Sequence, residues 1–340
     1  MRLRREQGLS VADWKVVYYP VPRLSQTVVM QQRLLQWLRC PECRAHLELV
    51  APDALRCGGC ARRFAVRGDV PIFTTEPSAT AAAFGYLWGE QATRVRPPQC
   101  VTPYHLHQLH DALGAPHLAG LIIDGGCGDG VDLAMLALDR DCEVVGVELS
   151  SGGIATTHAR TRGLARAHVV QGDLLKIPLA EGTFDGGYSY GVVHHTPDPP
   201  RAVRELARVL KPGAPLLLYV YEDFSDRPLS WRVALRLVNS LRHVTTRCPP
   251  TLLMTLCRLM SPVAYVACTL PSRHFRFAAR FPYRHGSDAW SLSGDLYDRF
   301  SAPIEHRYSE GGARALAEQA GLLVRRTVQR RGWMVWAHKP

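Results

Sequence analysis

Apolar and polar positions alternate in blocks through the middle of the chain. Five short apolar runs occur at residues 121–123, 143–147, 168–173, 184–190 and 216–221. Segments with helical periodicity separate them, such as 199–210, which opens with two prolines and ends at Lys211-Pro212-Gly213. This repeated strand–helix–strand order predicts an α/β fold with a doubly wound, mostly parallel sheet, whose ligand binds at the carboxyl ends of the strands.

A glycine-rich turn follows the first apolar run. Asp124 precedes glycines at 126, 128 and 130, and Cys127 lies between the first two. Glycines let the backbone approach a ligand closely, and the helix that follows offers unpaired N–H groups. A dinucleotide fingerprint, G-x-G-x-x-G, would need a glycine where this chain has Val131. The turn therefore predicts a nucleotide-like ligand and disfavours a dinucleotide.

Acidic residues follow the next two apolar runs. Glu148 ends the second run, about 20 residues beyond the glycine turn, where a carboxylate can accept hydrogen bonds from both hydroxyls of a ribose. Asp173 ends the third run, where we expect it to lie near an adenine amino group. Both residues support an adenosine-containing ligand.

Several motifs in this order resemble the class I S-adenosylmethionine (SAM) methyltransferases of the type 11 group. They are residues 124–130, Glu148, Gly172-Asp173, Phe184-Asp185, 194–198 and 210–213. The resemblance implies a Rossmann-like methyltransferase core with a seven-stranded sheet, and SAM as cofactor; a generic nucleotide-binding domain, such as a dehydrogenase, is the alternative. Its implied cofactor contacts are Asp124, Gly126, Cys127, Gly128, Gly130, Glu148, Leu149, Asp173, Leu174 and Tyr190.

Four cysteines near the N-terminus form two C-x-x-C pairs. Cys40 and Cys43 make the first pair, and Cys57 and Cys60 the second. Two such pairs supply four thiolates to one tetrahedral Zn²⁺, and four protein ligands make the zinc structural rather than catalytic. Unrelated thiols or a redox pair are the alternative. The pattern resembles the ribbons fused to many bacterial methyltransferases, and also the zinc site of rRNA guanine-N1 methyltransferases.

The segment from 227 to 287 is strongly basic. It holds ten arginines and no acidic residue, while the whole chain has a formal charge of +11. Its apolar run contains Arg258 and Pro262, which disfavours a membrane-spanning helix. We expect a helical cap, inserted after the fifth strand, that contacts an anionic or lipid-linked acceptor, a membrane surface or RNA. RNA is less favoured, although aromatic residues alternate with arginines over 273–284. The pattern is also consistent with a solvent-exposed cap that binds no partner.

Candidate catalytic residues follow the fourth and fifth strands. His194 and His195 lie at the first position and Glu222 at the second. Similar sugar and polyketide O-methyltransferases use a histidine base and a carboxylate at these places, and a histidine near neutral pH can accept a hydroxyl proton. The alternative is that the histidines only cap the strand end.

The chain is long enough for more than one domain. The predicted parts are an N-terminal extension (1–35), a zinc ribbon (36–75), a linker with the aromatic segment Phe84–Trp88 (76–105), the SAM-binding core (106–225), the basic helical cap (226–290) and the end of the core (291–340). The aromatic segment resembles one that packs over the cofactor in ribbon-fused methyltransferases. The alternative is that it forms a hydrophobic contact between domains. No apolar stretch follows the basic N-terminus, so we expect a cytoplasmic protein.

The sequence favours an enzyme that methylates an oxygen of a small-molecule, natural-product, lipid- or glycan-like acceptor. An rRNA or tRNA base methyltransferase that holds RNA with the ribbon and the cap is the alternative. A module that binds SAM without turnover is a third hypothesis. The identity of the acceptor and the oligomeric state stay open.

Overall fold

Eleven strands of the computed structural model form one sheet. The structure describes residues 32–74, 78–92, 105–139, 141–269 and 289–340. The strands are β1 Leu47–Ala51, β2 Ala54–Cys57, β3 Arg63–Arg67, β4 Val70–Ile72, β5 Gly120–Gly125, β6 Cys142–Glu148, β7 Ala167–Gln171, β8 Gly186–Tyr190, β9 Pro215–Val220, β10 Leu323–Gln329 and β11 Trp333–His338. Their order is β1-β2-β3-β4-β7-β6-β5-β8-β9-β11-β10.

Helices cover both faces of this sheet. They are α1 Gln32–Trp37, α2 Ala79–Ala92, α3 His105–Leu113, α4 Val131–Leu138, α5 Ser151–Thr161, α6 Pro199–Val209, α7 Leu229–Thr245, α8 Pro250–Thr269, α9 Ala289–Ser301 and α10 Glu310–Glu318. Leu206 of α6 and Leu316 of α10 belong to one buried cluster, and Leu109 of α3 and Leu133 of α4 to another. The sheet is therefore sandwiched between two helical layers.

Seven of the strands form the predicted methyltransferase-like core. Strands β5 to β9 run parallel to their neighbours, and β11 joins β9 antiparallel, with β10 outside it. The chain order reverses beside β5, because β6 and β7 lie on one side of it and β8 and β9 on the other. Such a switch point leaves a crevice at the carboxyl ends of the strands. The predicted fold class is confirmed.

The four N-terminal strands continue the same sheet. Ile72 of β4 pairs in parallel with Gln171 of β7, and the Phe73 N–H donates to the Gln171 carbonyl at 2.9 Å. Leu34 and Leu38 are buried in the same cluster as Leu179 of the core. The ribbon is thus built onto one edge of the core, which the cysteine spacing did not predict.

Helix α2, with 14 residues, occupies nearly half of the predicted linker 76–105. Its first turns are rich in alanine, the best helix former. Its Gly85 lies directly against Gly152 of α5, where an added Cβ on Gly152 would come within 1.9 Å of the Gly85 carbonyl oxygen. Two glycines therefore allow the backbones of α2 and α5 to touch, which fixes α2 against the core.

Helices α7 and α8 form the predicted helical insertion between β9 and α9. Arg242 of α7 is buried and pairs with Glu305 at 2.8 Å, and its Nη2 donates to the Ala302 carbonyl at 2.7 Å. The residues 273–284, in which aromatics alternate with arginines, lie outside the described residues, as does the N-terminal extension up to residue 31. Within the described ranges, none of the helices is both long enough and apolar enough to cross a membrane.

The four ribbon cysteines converge on one point. Their Sγ atoms all lie within 4.8 Å of one another, with 3.7 Å between those of Cys40 and Cys60 and 3.3 Å between those of Cys43 and Cys57. A tetrahedron with Zn–S bonds of about 2.3 Å has S···S edges of about 3.8 Å. The Cys60 and Gly59 N–H groups donate to Cys57 Sγ, and the Cys60 bond is the main cause that lowers the pKa of Cys57 to about 6. The thiol set fits a structural Zn²⁺.

We predict that the purified protein carries about one zinc ion per chain and that Cys43→Ser lowers this content sharply. Because the cluster closes the ribbon, the variant should also unfold at a lower temperature than the unsubstituted protein. Metal analysis and a thermal melt measure both effects. Cys248→Ser, which changes a thiol outside the cluster, is the control and should alter neither. Full zinc content in Cys43→Ser would contradict the assignment.

A second prediction concerns the contact of α2 with α5. Gly152→Ala should lower the free energy of unfolding by about 1–3 kcal/mol, because its methyl group meets the Gly85 carbonyl. The control is Gly89→Ala in α2, where an added Cβ meets nothing within 4 Å. That change should stabilise the protein by about 0.5–1 kcal/mol, since alanine favours helix over glycine. Urea unfolding measures both, and equal effects would show that the helices do not touch there.

Candidate active site

A cavity of about 400 Å³ opens at the carboxyl ends of the central strands. Residues that follow β5, β6, β7, β8 and β9 form its floor, and side chains of α2 and α9 form its walls. This is the crevice that the reversal of strand order beside β5 creates. Its volume lies within the range of small-ligand pockets, about 300–1,000 Å³.

The glycine turn after β5 forms one side of the cavity. Gly126 has φ 92°, and a Cβ there would come within 2.4 Å of the Val192 side chain. Gly128 has φ 55°, and a Cβ there would come within 3.1 Å of the Trp88 ring. Both positions therefore need glycine for backbone conformation and for space.

Glu148 holds the glycine turn in place. Its Oε2 accepts from the Gly128 N–H at 3.1 Å, and its Oε1 accepts from the Ser150 N–H at 2.8 Å and the Ser150 hydroxyl at 2.6 Å. The side chain is buried, and burial raises the pKa of its carboxyl group. One carboxylate thus joins the turn after β5 to the start of α5 and lines the cavity.

Asp124 lies beneath the glycine turn and is also buried. The Tyr188 hydroxyl donates to its Oδ2 at 2.6 Å. Burial raises the pKa of Asp124 to about 8, and Asp132 and Glu148 add to this because they are also acidic. Asp124 is therefore mostly protonated at neutral pH, and a cationic ligand beside it would favour its ionised form.

The cavity is acidic although the chain is basic. Among the described residues, seven carboxyl groups line it, against the single arginine Arg299; they belong to Asp124, Asp129, Asp132, Glu148, Asp173, Asp295 and Asp298. Some of these carboxyl groups form hydrogen bonds within the protein. Asp132, for example, accepts from the Leu106 N–H at 3.1 Å at the start of α3. The remaining excess of negative charge suits a positively charged ligand.

Helix α2 covers the cavity with aromatic side chains. Phe84 and Trp88 stack with their ring centroids 6.5 Å apart, and Trp88 lies over Gly128. Phe84 also contacts the His195 ring, with the centroids 5.1 Å apart. The structure therefore places the aromatic segment over the predicted cofactor turn.

Helix α9 also contributes to the cavity, which the sequence did not predict. Asp295, Asp298 and Arg299 of this helix line the cavity, and Asp298 accepts a hydrogen bond from the Tyr221 hydroxyl at 3.1 Å. Burial raises the pKa of Asp295 to about 7. Their spacing, which puts the charged groups of an otherwise uncharged helix on one face, was the available signal.

His195 lies at the cavity with a defined tautomer. Its Nδ1 is 2.7 Å from the Ile304 carbonyl oxygen, which can only accept, so Nδ1 carries the proton. Its Nε2 is buried and has no hydrogen-bond partner among the described residues. Burial lowers the pKa of His195, although Asp298 and Glu305 oppose this. The ring is therefore neutral at pH 7, and its unprotonated Nε2 belongs to a residue that lines the cavity.

Two of the predicted catalytic residues do not line the cavity. His194 is fully buried, and its ring packs on Tyr221 with the centroids 4.1 Å apart. Glu222 accepts from Arg227 at 3.2 Å and from Gln329 at 2.6 Å, so its carboxylate turns towards β10. The geometry corrects the expectation that Glu222 orients the histidine, because the Ile304 carbonyl does so.

The other predicted site residues gather in one place. Those that line the cavity are Asp124, Gly126, Cys127, Gly128, Glu148, Leu149, Asp173, Leu174, Tyr190 and His195. Gly130 is not among the lining residues. It precedes α4 with φ 74°, and a Cβ there would come within 2.6 Å of Thr157, so it shapes the turn from behind.

Comparisons with known proteins match the same part of the chain. Residues 123–218 match a family model described as a methyltransferase domain. A 24-methylenesterol C-methyltransferase 3 of Arabidopsis thaliana is 35% identical over 101 residues, which are 29% of this chain and 28% of that protein. A malonyl-[acyl-carrier protein] O-methyltransferase of Serratia marcescens is 30% identical over 147 residues, which are 43% of this chain and 54% of that protein.

Among solved structures, a SAM-dependent methyltransferase of Aquifex aeolicus is 16% identical, with a TM-score of 0.41 over 73% of this chain and 97% of that one. The chain spans only about a quarter to a half of the length of the curated relatives.

The residues of the cavity fit SAM in three respects. The glycine turn allows close approach, Glu148 and Asp173 offer carboxylates for an adenosine, and the acidic lining suits a sulfonium and an ammonium group. These features lie within or around the matched segment, 123–218. Residues 123–218 therefore match a methyltransferase domain, and a four-cysteine ribbon is joined to the edge of the sheet to which they belong.

Proposed function

We propose that this protein transfers a methyl group from SAM to a hydroxyl oxygen of a small, lipid-like or glycan-like acceptor. The observation that carries the proposal is the state of His195 at the cavity. A proton on Nδ1 and a vacant Nε2 are what a general base needs before it removes a hydroxyl proton. A protein that only binds SAM has no need of this arrangement.

The chain would hold SAM with the glycine turn and the acidic strand ends. Gly126 and Gly128 admit the ligand against the backbone, Glu148 faces the ribose hydroxyls, and Asp173 serves the adenine amino group. Asp124 supplies negative charge near the cationic part. When bound, SAM supplies an activated methyl group on a good leaving group, so the protein chiefly orients the acceptor and removes its proton.

His195 would remove that proton through Nε2. The Ile304 carbonyl fixes the ring by accepting from Nδ1–H, so the proton can go only to the other nitrogen. Asp298 and Glu305 favour the positively charged ring that forms. The Ile304 carbonyl orients the ring, and these two carboxyl groups act only through their charge.

Aromatic surfaces beside His195 suggest how an acceptor is oriented. The rings of Phe84 and Tyr221 lie 5.1 Å and 5.6 Å from the His195 ring, measured between centroids, and both meet it edge to face. Both residues line the cavity. Flat apolar faces of this kind can hold a hydrocarbon or the apolar face of a sugar ring, which supports a lipid- or glycan-like acceptor.

A matched pair of substitutions tests the base. His195→Phe should lower the rate of methyl transfer by about 10²–10⁴-fold, because the ring is kept and the basic nitrogen is lost. His194→Phe keeps the ring packing against Tyr221 and should retain most of the activity. Turnover is followed with radiolabelled SAM and a panel of hydroxylated acceptors.

Thermal melts and SAM titrations show whether both variants are folded and bind the cofactor. Equal losses of activity in the two variants, or full activity in His195→Phe, would remove His195 from the mechanism. Loss of SAM binding in a folded His195→Phe would give the residue a binding role instead.

The pKa of Asp124 predicts how SAM binding depends on pH. With a pKa of about 8 the free carboxyl group is mostly protonated at pH 7, and the cationic ligand favours the ionised form. Binding should therefore release a proton at pH 7 to 8, and affinity should rise as the pH rises towards 8 and then level off. Calorimetry in buffers of different ionisation enthalpy measures the release.

Asp124→Asn should remove most of the release at pH 8. Asp295→Asn is the control, because Asp295 has a pKa of about 7 and is mostly ionised at pH 8. The same proton release in Asp124→Asn as in the unsubstituted protein would exclude Asp124 as the source.

A further inference from the structure

Helix α7 has a second apolar face that points into solvent. Its buried side is formed around Arg242, which is anchored to Glu305 and Ala302. On the opposite side, exposed apolar residues recur every three or four positions and form a stripe. It consists of Leu229, Val233, Leu237, Leu241 and Val244. An ordinary surface helix has polar residues at such positions.

Helix α8 has the same organisation. It buries Leu253, Met254 and Cys257 beside α9. Its exposed stripe consists of Leu252, Leu256, Leu259, Met260 and Val263, of which Leu259 is 70% exposed and Val263 73%. Eleven of the fourteen exposed large apolar residues described lie between residues 229 and 266. Apolar exposure of this extent marks an interaction surface.

Positive charge accompanies these apolar stripes. Arg232 and Arg236 are exposed and lie along one flank of the α7 stripe, and the exposed Arg247 follows the end of the helix. No acidic residue occurs between 227 and 287. Both helices have an exposed apolar stripe, and the one on α7 has a basic flank, which matches the boundary between the headgroups and acyl chains of an anionic bilayer.

We propose that α7 and α8 form a docking surface for an anionic lipid membrane, on which the protein lies without crossing it. The apolar stripes enter the acyl boundary, and the flanking arginines contact the anionic headgroups. This role is separate from the proposed methyl transfer and does not depend on it.

Two other occupants match the surface less well. A second copy would bring two segments of the same strong positive charge together, which opposes association. RNA would use the arginines but would leave ten exposed aliphatic side chains of α7 and α8 unburied. Of these three occupants, an anionic lipid surface is the one that uses both the apolar stripes and the charge.

The surface is connected to the cavity through α9. Helices α7 and α8 both pack on α9, whose Asp295, Asp298 and Arg299 line the cavity. The Arg242 guanidinium also holds the chain that follows α9, at Ala302 and Glu305, next to Ile304. Docking would thus take place on the outer side of α9, the helix that lines the proposed acceptor cavity.

Flotation of the zinc-loaded full chain with lipid vesicles tests the proposal. Vesicles of phosphatidylcholine mixed with phosphatidylglycerol should bind the protein at least about tenfold more tightly than pure phosphatidylcholine vesicles, and added salt should reduce the difference. Leu237→Ser with Leu241→Ser, and separately Leu259→Ser with Val263→Ser, should each weaken binding by about tenfold or more.

Arg232→Gln with Arg236→Gln should weaken binding to the anionic vesicles by about tenfold and hardly affect binding to neutral ones. Leu323→Ser is the matched control, because Leu323 is 54% exposed but lies in β10, away from both helices. It should bind vesicles like the unsubstituted protein. Thermal melts check that all variants fold.

Three results would overturn the proposal. The first is equal binding to neutral and anionic vesicles or to neither. The second is a concentration-dependent dimer, seen by light scattering, that the leucine substitutions abolish while vesicles are not bound. The third is tight, salt-sensitive binding of bulk RNA without any vesicle binding, which would assign the arginines to nucleic acid.

Discussion

The hydrogen bonds of Glu148 are the constraint on which the site depends. One buried carboxylate accepts from the Gly128 N–H and from Ser150, so it fixes the glycine turn and the first turn of α5 together. Helix α2 rests on that start of α5 through the Gly85–Gly152 contact, and Trp88 reaches over Gly128 as a result. The floor and the aromatic cover of the cavity are therefore positioned by one buried charge. Because an unpaired buried carboxylate is costly, the turn, α5 and α2 are energetically coupled.

A second polar anchor positions the chemistry on the opposite wall. Glu305 receives Arg242 from α7 and Arg307 from its own strand-like segment, at 2.8 Å and 2.6 Å. These contacts hold the chain at Ile304, whose carbonyl sets the tautomer of His195. The inserted helices thus do more than cover the protein, since one of their arginines stabilises the loop that orients the proposed base.

The sequence predicted the parts of the site that lie within short stretches of chain. The glycine turn, Glu148, Asp173 and the four cysteines follow from local spacing, because each role needs a particular residue type at the end of a strand or in a knuckle.

The sequence could not separate His195 from His194, since adjacent residues differ only in their tertiary neighbours. Glu222 was chosen by its position after β9, but its carboxylate is held by Arg227 and Gln329, which come from other elements. The union of ribbon and core in one sheet likewise depends on the pairing of Ile72 with Gln171, residues far apart in the sequence.

The cavity differs in charge from the chain as a whole. The chain carries a net charge of +11, and a uniform positive field would repel a cationic ligand such as SAM. The described lining of the cavity is rich in carboxyl groups, which favour a cation there, and burial keeps Asp124 mostly protonated until a cation arrives. Arg232 and Arg236 are exposed on α7, which packs on α9, and α9 lines the cavity. Charged groups in solvent are screened within about 8–10 Å, so the basic outer surface and the acidic cavity can recognise opposite charges in one small protein. A ligand of either sign is then attracted only to its own side of α9.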